Sequence, residues 1–225
     1  MTDAYADYLF DESRVVGHAE YIAFPQTEAE LVSVVRYCAE HNLTLTAQGG
    51  LTGLTGGASP AGGLILNLSK MNRMLGMRKD ADGTFYLRVE PGVLLTQVRK
   101  ALSEKSFDLS GWDADSIEAL RELKPGELFF SPDPTETTAS LGGMAACNAS
   151  GARSLLYGAM RVYVHGLRVV LADGRVTELV RGRDRAQGRA FRLTCTDGSA
   201  VEGRIPDFDT PRHVVDAGFK FYDDM

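Results

Sequence analysis

The chain has 225 residues and a formal charge of −6, from 24 Lys and Arg against 30 Asp and Glu. That length holds one large domain or two small ones, with a substantial core. The acidic balance, without a basic patch, argues against nucleic acid and anionic membrane surfaces, and no apolar run reaches the roughly 18 residues of a membrane span. The N-terminus, MTDAYADYLFDESRVVG, has neither the basic start nor the apolar stretch of an export signal. Cys38, Cys147 and Cys195 lie far apart with no CxxC, a pattern of reduced cytoplasmic thiols and not of a disulfide framework or zinc site. Cytoplasmic residence is the expectation.

In chain order, Tyr21–Phe24 reads as a short strand ended by Pro25. Thr27 opens T-E-A-E, a capping box in which Thr27 accepts from the Glu30 amide while the Glu30 carboxylate reaches back. Leu31, Val35 and Cys38 follow at helical spacing, with Val32 beside them, and Asn42 is a left-handed stop. Leu43–Ala47 alternates as a strand does, and Leu64–Leu68 is a second strand after the loop between them. The pattern changes after Met71–Met77. Thr84–Glu90 reads as a strand, Pro91-Gly92 as a turn, and Leu94, Val98 and Leu102 as one helix face. A second helix is expected within Phe107–Lys124, capped by Asp115. Val162–Ala172 and Arg175–Val180 form a hairpin around Asp173-Gly174, and Phe191–Thr196 and Ala200–Ile205 another around Asp197-Gly198. The expected class is α+β in two subdomains.

Seven of the 24 glycines fall between Gly49 and Gly63. The run Q-G-G-L-T-G-L-T-G-G-A-S-P from Gln48 lets successive backbone amides face an anion, and Thr52 and Thr55 add neutral donors. That composition suits a diphosphate held by amides. GxGxxG after a strand and the Gly-Lys of a P-loop are both missing. The bland alternative is a flexible surface loop. A second constellation, SPDPTETTASLGGMAACNASG at Ser131–Gly151, sets two prolines before Gly142-Gly143. It places Asn148 and Ser150 among small residues (Ala145, Ala146, Ala149) that leave room for something flat and large. Its bland alternative is a tightly packed helix start.

QGGLTGLTGGASPAGGLILNLSKMNRM from Gln48, VEPGV at Val89–Val93 and DPTETTASLGGMAACNASGARSLLYGAMRVYVHGLRVVLADG at Asp133–Gly174 together carry a resemblance. They resemble the PCMH-type FAD-binding domain of the flavin-linked D-lactate and glycolate (2-hydroxy-acid) dehydrogenases, within the vanillyl-alcohol oxidase/p-cresol methylhydroxylase superfamily. The resemblance implies two α+β subdomains, residues 1–76 with the diphosphate loop at 48–60 and residues 77–225, with FAD between them. Carried over by position, Gly49, Gly50, Leu51, Thr52, Gly53, Leu54, Thr55 and Gly57 match the diphosphate loop. Pro132 and Asp133 match the segment approaching the flavin. Ser140, Gly142 and Gly143 match a second phosphate and ribityl contact, and Asn148 and Gly151 the segment beside the isoalloxazine. Some members hold FAD covalently through a His in the first loop. Thr52 stands at that place here, so noncovalent FAD is expected.

The departures are specific. Gln48 replaces a frequent Arg, Phe107–Glu127 is longer than usual, and Val214-Val215-Asp216-Ala217-Gly218-Phe219 stands where relatives read Lys-Asn-x-Ala-Gly-Tyr. The family's G-S-E-G-T-L-G contact, substrate-binding cap and base or metal-ligand histidines are not in the sequence. His18, His41, His165 and His213 read as structural or solvated, and Cys147 as a buried inert thiol. No catalytic residue and no metal site is assigned. The expectation is the FAD-binding half of a 2-hydroxy-acid oxidoreductase, inactive alone, which needs a cap domain or companion subunit and an electron acceptor its residues do not specify. Two alternatives stay open. One is another flavoenzyme of the fold, such as an enolpyruvyl-UDP-N-acetylglucosamine reductase or the flavin subunit of a molybdenum hydroxylase. The other is a noncatalytic flavin-binding subunit.

Overall fold

The computed structural model describes residues 3–134 and 136–206, so His213 and the stretch 214–219 lie outside the described residues. The chain divides into two compact units, Met1–Tyr163 and Val164–Met225. Helices accompany one parallel sheet and three antiparallel strand pairs among the described residues, and the expected α+β class holds.

In the first unit, β1 (Tyr21–Ala23), β3 (Leu64–Asn67) and β2 (Leu45–Gln48) form a parallel sheet in that order, with Ile22 and Thr46 both in register with Ile65. All four residues of the central strand β3 are buried, which is why Leu64–Leu66 is continuously apolar instead of alternating. α1 (Glu28–Glu40) supplies the crossover from β1 to β2 and buries Leu31, Val35 and Cys38. Thr27 Oγ1 accepts from the Glu30 amide at 3.2 Å. The Glu30 carboxylate accepts from the Gln26 amide at 2.7 Å, one residue before the partner expected from the capping box. Asn42 turns left-handed at φ 52° as expected.

Beyond the sheet, β4 (Met74–Lys79) pairs antiparallel with β5 (Phe85–Val89). β4 was not expected, because Gly76 interrupts any alternation and the segment ends on the basic pair Arg78-Lys79. Its place is set by α3 (Ala114–Glu122), where the preceding Trp112 indole donates to the Met74 carbonyl at 2.7 Å. The cap of α3 is Asp113 and not Asp115: its Oδ1 accepts from the Ser116 amide at 2.7 Å. Both aspartates fit the local cap pattern, and burial of Ser116, Ala119 and Leu120 selects the register. α2 (Leu95–Glu104) buries Leu95, Val98, Ala101 and Leu102, so Leu94 is the residue ahead of the helix instead of part of its apolar face. α4 (Leu141–Ala146) and α5 (Ser154–Tyr157) are short, and a 3₁₀ turn at Met160–Tyr163 ends the unit.

The second unit is two hairpins, β6 (Gly166–Val170) with β7 (Val176–Val180) and β8 (Ala190–Thr194) with β9 (Ala200–Arg204). They turn at Asp173-Gly174 and Asp197-Gly198 as read from the sequence, with the aspartates accepting from the amides of Arg175 and Ser199, each at 2.9 Å. Thr177 Oγ1 donates to the Thr194 carbonyl at 2.9 Å and links the two hairpins.

Candidate functional site

The glycine loop leaves the C-terminal end of β2 and returns to β3, at the edge where a parallel sheet characteristically receives ligands. Positive φ is not the main use of its glycines. Of Gly49, Gly50, Gly53, Gly56 and Gly57, only Gly56 is left-handed (φ 75°), and Leu51 adopts φ 58° instead. Gly49 and Gly50 are glycine because another chain segment lies against them. A Cβ on Gly49 would sit 2.1 Å from Ser140 Oγ, and one on Gly50 would sit 2.9 Å from the Thr138 carbonyl oxygen. The two sequence constellations, about 90 residues apart, therefore touch backbone to backbone. Ser140 Oγ joins them, accepting from the amides of Gly50 and Gly143, both at 3.3 Å.

The third stretch of the motif set, Val89–Val93, packs onto the same place. Gly142 donates to the Pro91 carbonyl at 2.9 Å and Leu141 to the Val93 carbonyl at 2.8 Å, while Leu95 donates to the Ala139 carbonyl at 3.0 Å. A Cβ on Gly142 would lie 2.6 Å from Pro91 Cβ. Gly151 is tighter still: its absent Cβ would lie 1.7 Å from the Asp133 carbonyl oxygen. So Gly49, Gly50, Ser140, Gly142 and Gly143 form one connected set, and Gly151 with Asp133 forms a second close backbone contact.

Asp133 and Pro132 have protein partners of their own. Arg99 donates to the Pro132 carbonyl at 2.8 Å and to the Phe130 carbonyl at 3.3 Å, and reaches the Asp133 carboxylate at 3.4 Å. Arg153 approaches the same carboxylate at 3.6 Å. Arg99 thus fastens the approach segment, a role the sequence did not signal because the pairing spans 34 residues. Asn148 is left-handed (φ 46°), and its Oδ1 accepts from the Arg161 amide at 3.0 Å. Cys147 is exposed at the end of α4, which corrects the expectation of a buried thiol. A six-residue helix ends before it can cover that side chain.

Gln48 is where the chemistry of the loop base is decided. It is 2% exposed, its Nε2 donates to the carbonyls of Tyr8 at 2.7 Å and Ala58 at 2.8 Å, and its Oε1 accepts from Asn67 at 3.4 Å. The residue that sequence reasoning missed is Asp11, also 2% exposed, whose Oδ2 accepts from the Ala58 amide at 3.2 Å and Oδ1 from the Ser13 amide at 3.0 Å. Burial pushes this carboxyl up, but hydrogen bonds from the Ser13 hydroxyl, the Ala58 amide and the Ser13 amide outweigh it and hold it below the usual aspartate range. The one local signal was D-x-S, an Asx-turn pattern that is common in surface loops.

The remaining loop is open for a ligand. Among the described residues, the amides of 51–57 donate to no protein acceptor. Gly57 has nothing within 4 Å of its Cβ position. Thr52 and Thr55 flank these amides with hydroxyls, and no basic side chain lies in the loop. Backbone amides without a protein acceptor, at the end of a parallel sheet, can donate to an anion.

Comparison with known proteins names the ligand. The family described as FAD binding domain matches residues 19–116 and 114–179 of the chain. The chain belongs to this FAD-binding family. D-lactate dehydrogenase of Anaerostipes hadrus is 35% identical over 176 residues, which cover 77% of this chain and 32% of that protein. Glycolate oxidase subunit GlcD of Bacillus subtilis (strain 168) is 31% identical over 154 residues, covering 68% of this chain and 28% of that one. Among solved structures, a chitooligosaccharide oxidase superposes with TM-score 0.57 at 22% identity, over 80% of this chain and 33% of the other, and so shares the fold. The chain of this FAD-binding domain thus spans about a third of the length of these relatives. FAD is its cofactor, and the family read from the motifs is the one found. Among the described residues, no helix is long and apolar enough to cross a membrane, and no three His, Cys, Asp or Glu cluster as a metal site.

Proposed function

We propose that this chain is the FAD-binding part of an oxidoreductase that oxidises a 2-hydroxy acid of the lactate or glycolate type. The observation that carries the site is the meeting of the two glycine-bearing segments at Ser140, beside a row of amides with no protein acceptor. The amides of Leu51, Thr52, Gly53, Leu54, Thr55 and Gly57, with the threonine hydroxyls, hold the diphosphate. Gly49, Gly50, Ser140, Gly142 and Gly143 keep the second segment close enough to contact the phosphate and ribityl chain. Pro132 and Asp133, held by Arg99, and Asn148 and Gly151 border the ring. FAD lies between a first subdomain, residues 1–76, and a second beginning at residue 77. Bound FAD supplies a two-electron acceptor for the α-hydrogen of the hydroxy acid. These residues bind and orient; the proton acceptor and the residues that select the acid belong to a substrate-binding domain or companion subunit.

Thr52 at the place of the family's attachment histidine supports noncovalent FAD, and the dispersed free thiols of Cys38, Cys147 and Cys195 support a reducing, cytoplasmic setting. The test is titration of the purified chain with FAD, followed by flavin fluorescence. A saturable yellow complex at micromolar concentration, with all flavin released on acid precipitation, is expected. No quenching and no retained flavin would overturn the assignment of the loop. Reduction of an artificial electron acceptor by lactate or glycolate, assayed with the substrate-binding part present, tests the hydroxy-acid reading.

A further inference from the structure

The segment ahead of the family match is built onto the back of the glycine loop. The Tyr8 carbonyl accepts from Gln48 Nε2 at 2.7 Å, Glu12 donates to the Leu51 carbonyl at 3.1 Å, Ser59 Oγ donates to the Val15 carbonyl at 2.7 Å, and His18 donates to the Pro60 carbonyl at 3.0 Å. Asp11, in the same segment, carries a carboxylate that is almost wholly buried, unlike that of Glu12. Both of its oxygens are engaged, Oδ2 by the loop amide of Ala58 and Oδ1 by Ser13. Within the stretch 51–58, Ala58 is the residue whose amide has a protein acceptor. Gln48 takes the carbonyl of the same residue at 2.8 Å. Ala58 is thus clamped through both its N–H and its C=O, at the point where the loop stops presenting free amides and turns back toward β3.

We propose that Asp11 is a positioning residue for the diphosphate loop: it fixes Ala58 from behind, so that the preceding amides face the ligand before the ligand arrives. The inference rests on the reading that residues 49–57 hold FAD. Its physical content is preorganisation. Two buried acceptor bonds made in the free protein remove the ordering cost that a flexible glycine-rich loop would otherwise carry into binding. It also fixes the sign of an effect. A carboxylate near an anionic ligand, acting through its charge alone, weakens binding, so removing the charge tightens it. A carboxylate that holds the loop in shape does the reverse.

The test is Asp11→Asn, which keeps the volume. An amide side chain has one acceptor oxygen, so its NH₂ is turned toward one of the two N–H donors that the carboxylate satisfied. FAD titration of the variant is expected to show roughly tenfold weaker binding, the size of one lost charge-assisted hydrogen bond. Amide hydrogen exchange of the ligand-free protein supplies a second readout. In the wild-type chain the Ala58 amide is expected to be protected while residues 51–57 exchange freely; in Asp11→Asn the melting temperature falls because a buried N–H is left unpaired, and Ala58 loses more protection than the amides of β3 do. Glu12→Gln, whose exposed carboxylate pairs with Arg14, is the matched charge control and leaves both readouts unchanged. Tighter or equal FAD binding in Asp11→Asn overturns the proposal, as does unprotected Ala58 in the wild-type protein, a result that needs no folded variant. Failure of the wild-type chain to bind FAD while Ala58 is protected overturns the assignment of the loop and not the clamp on Ala58.

Discussion

Ser140 Oγ is shared by two segments and is also the atom that a side chain at Gly49 would strike, so the pair defines a double-mutant cycle. Ser140 is 3% exposed and caps α4 through the Gly143 amide while tethering the Gly50 amide, both at 3.3 Å. Ser140→Ala loses an N-cap of about 1 kcal/mol and a tether of about 1 kcal/mol, so about 2 kcal/mol in all. Gly49→Ala places its methyl 2.1 Å from that oxygen and 3.2 Å from Ser140 Cβ. The hydroxyl must leave, both bonds go with it, and the residual crowding adds about 1 kcal/mol, for about 3 kcal/mol. In the double variant the struck atom is gone and the bonds are already lost. It should cost about 3 kcal/mol instead of the additive 5 or so, a coupling of about 2 kcal/mol. Urea unfolding followed by Trp112, the one tryptophan of the chain and buried in the same unit, measures all four proteins. Additivity within about 0.5 kcal/mol would refute the shared-atom argument.

Two further outcomes follow from the same geometry. Gly57 has open space at its Cβ position and no positive φ, so Gly57→Ala should leave urea stability unchanged or raise it by up to about 1 kcal/mol. The same variant should weaken FAD binding about tenfold by crowding the diphosphate; unchanged affinity would remove Gly57 from the site. Asp113 is held below the ordinary aspartate value of 3.8 by the Ser116 amide first and its hydroxyl second. A depressed folded pKa means that the cap contributes fully above 3.8 and is lost as pH falls through that value toward the folded one. Asn caps helices as well as Asp, so Asp113→Asn should match wild type in melting temperature at neutral pH and lose less of it in acid; superimposable acid limbs would contradict this.

What the sequence determined by itself was whatever rests on near neighbours. The strand–helix–strand opening, the Thr27 cap, the Asn42 stop and the two Asp-Gly hairpins each depend on residues a few positions apart, and each formed. The two glycine-bearing segments were also legible, because a run of small residues records a close approach even when the approaching partner is unknown. Which partner it was, only the tertiary structure decided. Gly49 faces Ser140, Gly142 faces Pro91 and Gly151 faces Asp133, pairings that adjacency in sequence does not encode. The same holds for Arg99 on Pro132, for Trp112 fixing β4, and for Cys147 left exposed by a short helix. Asp11 shows the reason most plainly. In the sequence it is one acidic residue among 30, indistinguishable from solvated ones. Folding buries it against a glycine loop that begins 38 residues later, and burial is what turns a common surface carboxylate into an acceptor that a backbone amide must use.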